Sequence, residues 1–356
     1  TFVLNCPWDL EELNEHLPAS LKRTIAEKNL DFYTVDAVQI AGEVGLGGRI
    51  NMIMQTVFFK LAGVLPVDEA IDHLKDAIKK AYGRKGEKVV QMNYDGVDAA
   101  LDPDNLVKVD VPEAWTKATG EPGKPAMPDW VLEVMRPMVL QDGDQLPVSA
   151  FDAELDGSYQ WTGPDGSFPV ATTQYEKRGV AINVPEWIPE NCIQCNQCAF
   201  VCPHATIRPF LVTEEEESAA PEGFETLDAM GKGMEDYGFR IQVDPLDCVG
   251  CGNCVDVCPG KGGEKALAMK PLDSQLDQQP LYNYALTLPV RDNLMNWQTV
   301  KGIQFRQPLF EYHGACPGCG ETPYVKLATQ IAGDRMMIAN ATGCSSIYGG
   351  SAPAVP

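Results

Sequence analysis

Positive charge is scarce in this chain: 28 Lys and Arg stand against 50 Asp and Glu, a net charge of −22 over 356 residues. Nucleic acid is held through lysine and arginine on its phosphates, so it is excluded as a partner. An anionic ligand would need a local basic pocket or backbone N–H groups. Long apolar runs are also missing. The most apolar stretch, INMIMQTVFFKLAGVLP (50–66), falls short of the roughly 20 residues of a membrane-spanning helix and carries Lys60. No signal peptide opens the chain, and the expected location is cytoplasmic. No Ser/His/Asp triad, Walker A loop or GxGxxG turn is recognisable.

What is abundant is cysteine, with 12 in the chain. In a sequence of cytoplasmic character that number points to metal rather than to disulfides. Eight of the twelve lie in two copies of one pattern, CIQCNQCAFVCP (192–203) and CVGCGNCVDVCP (248–259). Cys-x2-Cys-x2-Cys wraps a short loop round one [4Fe–4S] cluster. The fourth cysteine, three residues on and followed by proline, is carried away to ligate the other cluster of a two-cluster module, as in bacterial ferredoxins. The expected sets are therefore Cys192, Cys195, Cys198 and Cys258 for one cluster, and Cys248, Cys251, Cys254 and Cys202 for the second. Zinc sites space their cysteine pairs differently, and disulfides between such near neighbours would be strained. Gly250, Gly252 and Asn253 suit close backbone approach to a cluster. His204 reads as a packing residue, because thiolates already fill the ligand set.

A third group consists of Cys316, Cys319 and Cys344. By spacing alone it is a metal or cluster site with zinc as the main rival. The small residues of GCSSIYGGSAP (343–353) suit a backbone packed against a cofactor. Cys6, alone, reads as a small buried hydrophobe. GLGGRIN (45–51) leads from a loop into a helix; a tight turn is the better reading, and Arg49 is the residue an anion site would use.

The length implies at least two domains. Residues 1–115 read as the later part of an α/β domain. In it LDFYTVDAVQIA is a strand, RINMIMQTVFFKLAGVL a helix apolar on nearly every face, and PVDEAIDHLKDAIKKAYG an amphipathic helix burying Ala70, Ile71, Leu74, Ala77, Ile78 and Ala81, with Gly83 past its end. Residues 116–190 form a Pro/Gly-rich linker with a short helix near Trp130–Met138 and a small module around YEKRGVAINVPEW. Residues 191–271 hold the two motifs and, between them, an acidic insert (213–236) expected to be an exposed, mobile excursion. Residues 272–356 begin another domain. The chain opens and closes as if cut from a longer polypeptide.

Taken together, ACPGCGETPY, ANATGCSSIYGGSAP, YEKRG…VPEW leading into CIQCNQCAFVCPHA, and GGRIN give a sequence that resembles the single-chain, thiamine diphosphate-dependent pyruvate:ferredoxin (or flavodoxin) oxidoreductases. The resemblance runs over essentially the whole chain, as an internal segment. It implies a multidomain α/β and α+β architecture. Its parts are a gamma-subunit-like α/β domain, a small EKR module around Tyr175–Arg178, a bacterial-type 2[4Fe–4S] ferredoxin-like domain with medial and distal clusters, and the start of a thiamine diphosphate-binding α/β domain. Cys316, Cys319 and Cys344 match three ligands of a third, proximal [4Fe–4S] cluster whose fourth ligand lies outside the segment. Glu321 matches a position near thiamine. The diphosphate and Mg2+ are implied to be bound mainly outside the segment. The implied reaction is oxidative decarboxylation of pyruvate with coenzyme A, in a homodimer, with electrons leaving singly to ferredoxin or flavodoxin. The charge of the acidic insert disfavours it as the docking face for an acidic ferredoxin. Another 2-oxoacid oxidoreductase, or a plain two-cluster electron-transfer module, is the alternative.

Overall fold

The computed structural model describes residues 1–119, 127–151, 170–350 and 353–356. They fall into two compact units, Thr1–Pro125 and Ala126–Pro356. The Pro/Gly-rich stretches 120–126 and 152–169 and residues 351–352 of the GGSAP segment lie outside the described residues.

In the first unit, strands β1 (Phe2–Asn5) and β2 (Phe32–Val35) pair in parallel, and β3 (Leu106–Lys108) adds antiparallel to β2. Parallel neighbours need a crossover; here the helices Leu10–His16 and Ala19–Glu27 supply it. The LDFYTVDAVQIA stretch is not one strand. The strand stops at Val35, and the Asp36 carboxylate accepts the Gln39 N–H at 2.8 Å, capping the helix Ala37–Glu43. Apolar run and β-branching hid a helix start.

The helix Asn51–Ala62 buries only Ile53, Thr56 and Val57. Its opposite face stays open, with Phe58 57% exposed. It is therefore a one-sided helix, packed on the helices Val67–Tyr82 and Glu87–Leu101, not one buried all round. Val67–Tyr82 buries Ala70, Ile71, Leu74 and Ile78 as expected, but Ala77 and Ala81 are exposed. Gly83 does not break the chain: a 3-10 turn (Gly83–Lys85) follows, and the left-handed residue is Gly86. Cys6 is buried among Leu13, Ile25, Phe32 and Trp115, a packing position.

The second unit has a two-stranded sheet, β4 (Asn183–Trp187) with β8 (Leu267–Pro271), and a three-stranded sheet in the order β5 (Ile207–Val212), β7 (Gly238–Val243), β6 (Leu227–Asp228), all antiparallel. Its largest core cluster includes Ile207, Leu211, Phe239, Ile241, Val243, Leu267 and Phe305 together with Cys198, Cys202 and Cys254. The short helix near Trp130 is present as a π-helical turn, Val131–Met135, running into the α-helix Arg136–Val139.

The acidic insert is not a loose excursion. Thr213 and Glu216 form a capping box for the helix Glu214–Ser218, and Glu216 pairs with Arg291 at 2.6 Å. Its residues 227–228 are strand β6. Phe224 (5% exposed) and Met234 (1%) are core residues, Met234 in the cluster that holds Cys198 and Cys254. Only Glu214 and Glu215 of the four glutamates face solvent fully. Among the described residues no helix is long and apolar enough to cross a membrane.

Candidate metal centre

The two cysteine loops lie side by side in the second unit. Each runs into a short helix, Gln197–Val201 after the first and Asn253–Asp256 after the second, and these two helices pack together. The helix-borne cysteines, Cys198 and Cys254, stay with their own loops, while Cys202 and Cys258, past the helix ends, cross to the other. One cavity is lined by Cys192, Cys195, Cys198 and Cys258 with Trp187 and Ile241. A second is lined by Cys202, Cys248, Cys251 and Cys254 with His204 and Thr206. Each motif thus gives three thiols to its own cavity and its fourth to the other.

The surroundings suit a polynuclear sulfur-ligated group. The Gly250 and Ala266 N–H groups donate to the Cys248 and Cys258 sulfurs at 3.4 and 3.3 Å. Burial pushes the Cys192 thiol up, and the buried indole N–H of Trp187, which faces it, works against that rise. Burial and then the neighbouring thiols push Cys198 and Cys254 far up. Burial pushes Cys248 up to about 12, against the Gly250 N–H. Thiols crowded this way are unfavourable as thiolates unless cationic metal is present, which deprotonates a coordinating thiol outright. Among the described residues no three His, Cys, Asp or Glu side chains converge on a single ion. Four thiols spread round each cavity match one sulfur per iron.

Several polar residues that fix the loops were not legible in the sequence. Gln194, 2% exposed, donates to the Asp228 carbonyl and accepts the Met230 N–H, both at 2.7 Å, joining the first loop to the insert. Asn196, 1% exposed, donates to the Lys301 carbonyl at 2.9 Å. Lys177, in the YEKRG segment, bridges Asp244 and Asp247 just ahead of the second loop, and its ammonium is held charged by both against the effect of burial. His204 is a packing residue. It stacks on His313 (4.7 Å between ring centres) and its Nε2 meets the Ala315 carbonyl at 2.9 Å, while His313 Nε2 meets the Pro203 carbonyl at 2.8 Å. Burial and His204 hold the His313 imidazole down to about 3. The histidine pair thereby fastens the chain after the first motif to the segment before the third cysteine group.

That third group is more open. Cys316 and Cys344 are exposed and Cys319 half-buried. A turn closed by the Cys319 N–H on the Cys316 carbonyl (3.0 Å) brings the first two together, with Gly318 left-handed. Cys344 begins the helix Cys344–Gly350. Tyr348 on that helix is pushed up to about 12 by burial and then by the negative charge of Glu321. Burial would raise the Cys319 thiol, but the Glu321 and Thr322 N–H groups at the start of the helix Thr322–Ala332 bring it below its ordinary value. Gly318 packs on the second loop: a Cβ there would sit 3.6 Å from Asn253 Oδ1 and 3.7 Å from Cys251 Cβ. Glu321 lines a cavity of about 700 Å3 with Phe310, Val325, Asn340, Ser345 and Tyr348. The GLGGRIN segment is a turn with Gly45 and Gly47 left-handed and Arg49 exposed.

Two four-thiol cavities in a small antiparallel frame define an iron–sulfur protein of the two-cluster kind, and residues 191–261 match the family described as 4Fe-4S dicluster domain. Residues 1–102 match the family described as pyruvate ferredoxin/flavodoxin oxidoreductase, and residues 117–181 match EKR, a domain of unknown function. By sequence the chain is similar to pyruvate:ferredoxin/flavodoxin oxidoreductases. It is 56% identical over 358 residues to the pyruvate:ferredoxin oxidoreductase of Moorella thermoacetica, and 54% over 357 residues to the pyruvate-flavodoxin oxidoreductase of Enterobacter agglomerans. It is 50% identical over 359 residues to that of Klebsiella pneumoniae. In each case all of this chain is covered, and it spans 29% of the relative's length.

Proposed function

We propose that this chain is the electron-conducting part of an enzyme that oxidises pyruvate with coenzyme A to acetyl-CoA and CO2 and passes the electrons singly to ferredoxin or flavodoxin. The observation that carries it is the pair of four-thiol cavities, each completed by the other motif's last cysteine. Cys192, Cys195, Cys198 and Cys258 would hold one [4Fe–4S] cluster, and Cys248, Cys251, Cys254 and Cys202 the other. Cys316, Cys319 and Cys344 would give three ligands of a third. Each cluster supplies a one-electron store, which a two-electron substrate and a one-electron acceptor both require.

The packing of Gly318 on Cys251 supports an order for the conductor: third group, then the cluster of the second loop, then that of the first. Thiamine diphosphate with Mg2+ supplies the electron sink for decarboxylation, and Glu321, on the cavity wall beside Cys319 and Tyr348, is the residue of this chain assigned to its surroundings. Coenzyme A as acyl acceptor, the homodimer, the gamma-like domain at 1–115 and the thiamine domain starting at 272 rest on the kinship.

The ligand sets are tested by pairs of substitutions in the full-length protein, counting about four irons per cluster. Cys258→Ala with Cys195→Ala should lose one cluster, because both act on one site. Cys258→Ala with Cys251→Ala should lose two. The reverse pattern refutes the crossed ligation, and zinc in place of iron refutes the electron-transfer role. Reduction of the clusters by pyruvate and coenzyme A, but not by other 2-oxoacids, tests the substrate.

A further inference from the structure

Lys326 sits in the second turn of the helix Thr322–Ala332, between Cys319 and Cys344 of the third cysteine group, and is 2% exposed. Its ammonium donates to three carbonyls at the end of the helix Gln197–Val201: those of Ala199, Phe200 (3.2 Å) and Cys202 (3.0 Å). Among the described residues no carboxylate lies within ion-pair distance of it. Burial pulls the ammonium down to about 8; the Cys202 and Cys198 sulfurs work against that fall, and Arg208, itself paired with Glu311, adds to it. A buried cation without a carboxylate is strongly unfavourable unless other negative charge compensates it. Here the carbonyl ends of one helix and two cysteines supply that compensation. The two cysteines belong to different cavities: Cys198 lines the first and Cys202 the second.

We propose that Lys326 is a positioning residue for electron transfer, a fixed positive charge between the two clusters that raises the reduction potential of both. The effect is larger at the cluster of Cys202, whose carbonyl the ammonium touches. The inference rests on the two-cluster reading. One-electron reduction adds one negative charge to a cluster. In a site shielded from water a nearby cation stabilises that added charge far more than at the surface. Cluster potential follows net charge, hydrogen bonding and solvent exposure, and Lys326 acts through the first. The same contact holds the helix that follows Cys319 against the segment joining Cys198 to Cys202, so one side chain ties the third cysteine group to the first motif.

The test uses the full-length, cluster-loaded protein, with iron content and a redox titration followed by electron paramagnetic resonance. Lys326→Gln keeps N–H donors for the carbonyls and removes the charge. It should keep its iron but lower the reduced-to-oxidised ratio at a fixed applied potential by roughly tenfold at the Cys202 cluster, about 59 mV for a one-electron couple, and by less at the other. Lys326→Arg should stay close to wild type. Unchanged potentials in Lys326→Gln, or equal shifts in Gln and Arg variants, overturn the proposal. If Lys326→Gln and Lys326→Met both lose iron while Lys326→Arg retains it, a need for the charge is supported. Loss in all three shows a purely steric role and overturns it. Wild-type protein without iron would instead refute the two-cluster reading itself.

Discussion

The loops 192–198 and 248–254 share their cysteine spacing and also their backbone, but they reach that backbone by different means. The residues on either side of the second cysteine take left-handed dihedrals in both: Gln194 (φ 55°) and Asn196 (φ 59°) in one, Gly250 (φ 67°) and Gly252 (φ 78°) in the other. Left-handed backbone costs a residue with a Cβ about 1–2 kcal/mol. The first loop offsets that with buried side-chain hydrogen bonds from Gln194 and Asn196 to distant segments. The second avoids it with glycine. At Gly250 the reason is packing as well as dihedral, since a Cβ would stand 2.7 Å from the Asn183 carbonyl of β4. At Gly252 nothing lies within 4 Å, so there only the dihedral matters. Identical coordination spacing thus conceals one loop clamped by side chains and one clamped by close backbone contact.

The sharpest way to break this contrast is Gly250→Ala. The dihedral and the clash together should cost about 2–5 kcal/mol, and the full-length protein should lose the iron of the second site while keeping that of the first. Full iron occupancy and an unmoved urea midpoint would show that the Asn183 contact yields easily. Next is Met234→Ala, which empties a core position beside Cys198 and Cys254 and should cost about 3 kcal/mol, read as a lower unfolding midpoint. If stability is unchanged, the insert does not share the core of the cluster domain. Gln194→Ala, which strands the Asp228 carbonyl and the Met230 N–H, should cost about 2 kcal/mol and speed iron release from the first site to a chelator. Gln194→Gly should be milder, because glycine relieves the dihedral; an equal effect would mean that strain at 194 is negligible. The smallest effect belongs to Gly252→Asn. Asparagine tolerates left-handed backbone and meets nothing there, so the change should stay under about 1 kcal/mol, with iron content unchanged.

The grouping of the cysteines round two cavities was legible because spacing limits which thiols can share one: three thiols two residues apart face one cavity, and the chain carries the fourth away. What fastens those loops was not legible. Gln194 and Asn196 look like ordinary surface polar residues until Asp228, Met230 and Lys301 arrive from elsewhere in the chain. Lys326 reads as the solvent face of an amphipathic helix, and only the helix ending at Val201 makes it internal. In the insert four adjacent glutamates dominate the local composition, while the residues that anchor it, Phe224, Leu227 and Met234, are single and widely spaced. Strand β6 is two residues long and leaves no alternation to detect. In the first unit, Asp36 could have been read as a helix cap, but the apolar residues on both sides favoured one long strand.

The clamp on the first loop also sets a schedule for biosynthesis. Asn196 and the Lys301 carbonyl it holds are 105 residues apart in sequence, and Cys258, Asp228 and Met230 all follow the loop as well. At roughly 5–20 residues per second of chain growth, about 5–20 s separates the appearance of Cys192, Cys195 and Cys198 from that of the last group needed to close their site. During that interval three thiols are present without their fourth partner or their clamps. If these thiols hold the proposed cluster, their set is complete only after Cys258 and clamped only after Lys301, and until then Cys198, buried in the finished fold, stays open to oxidation.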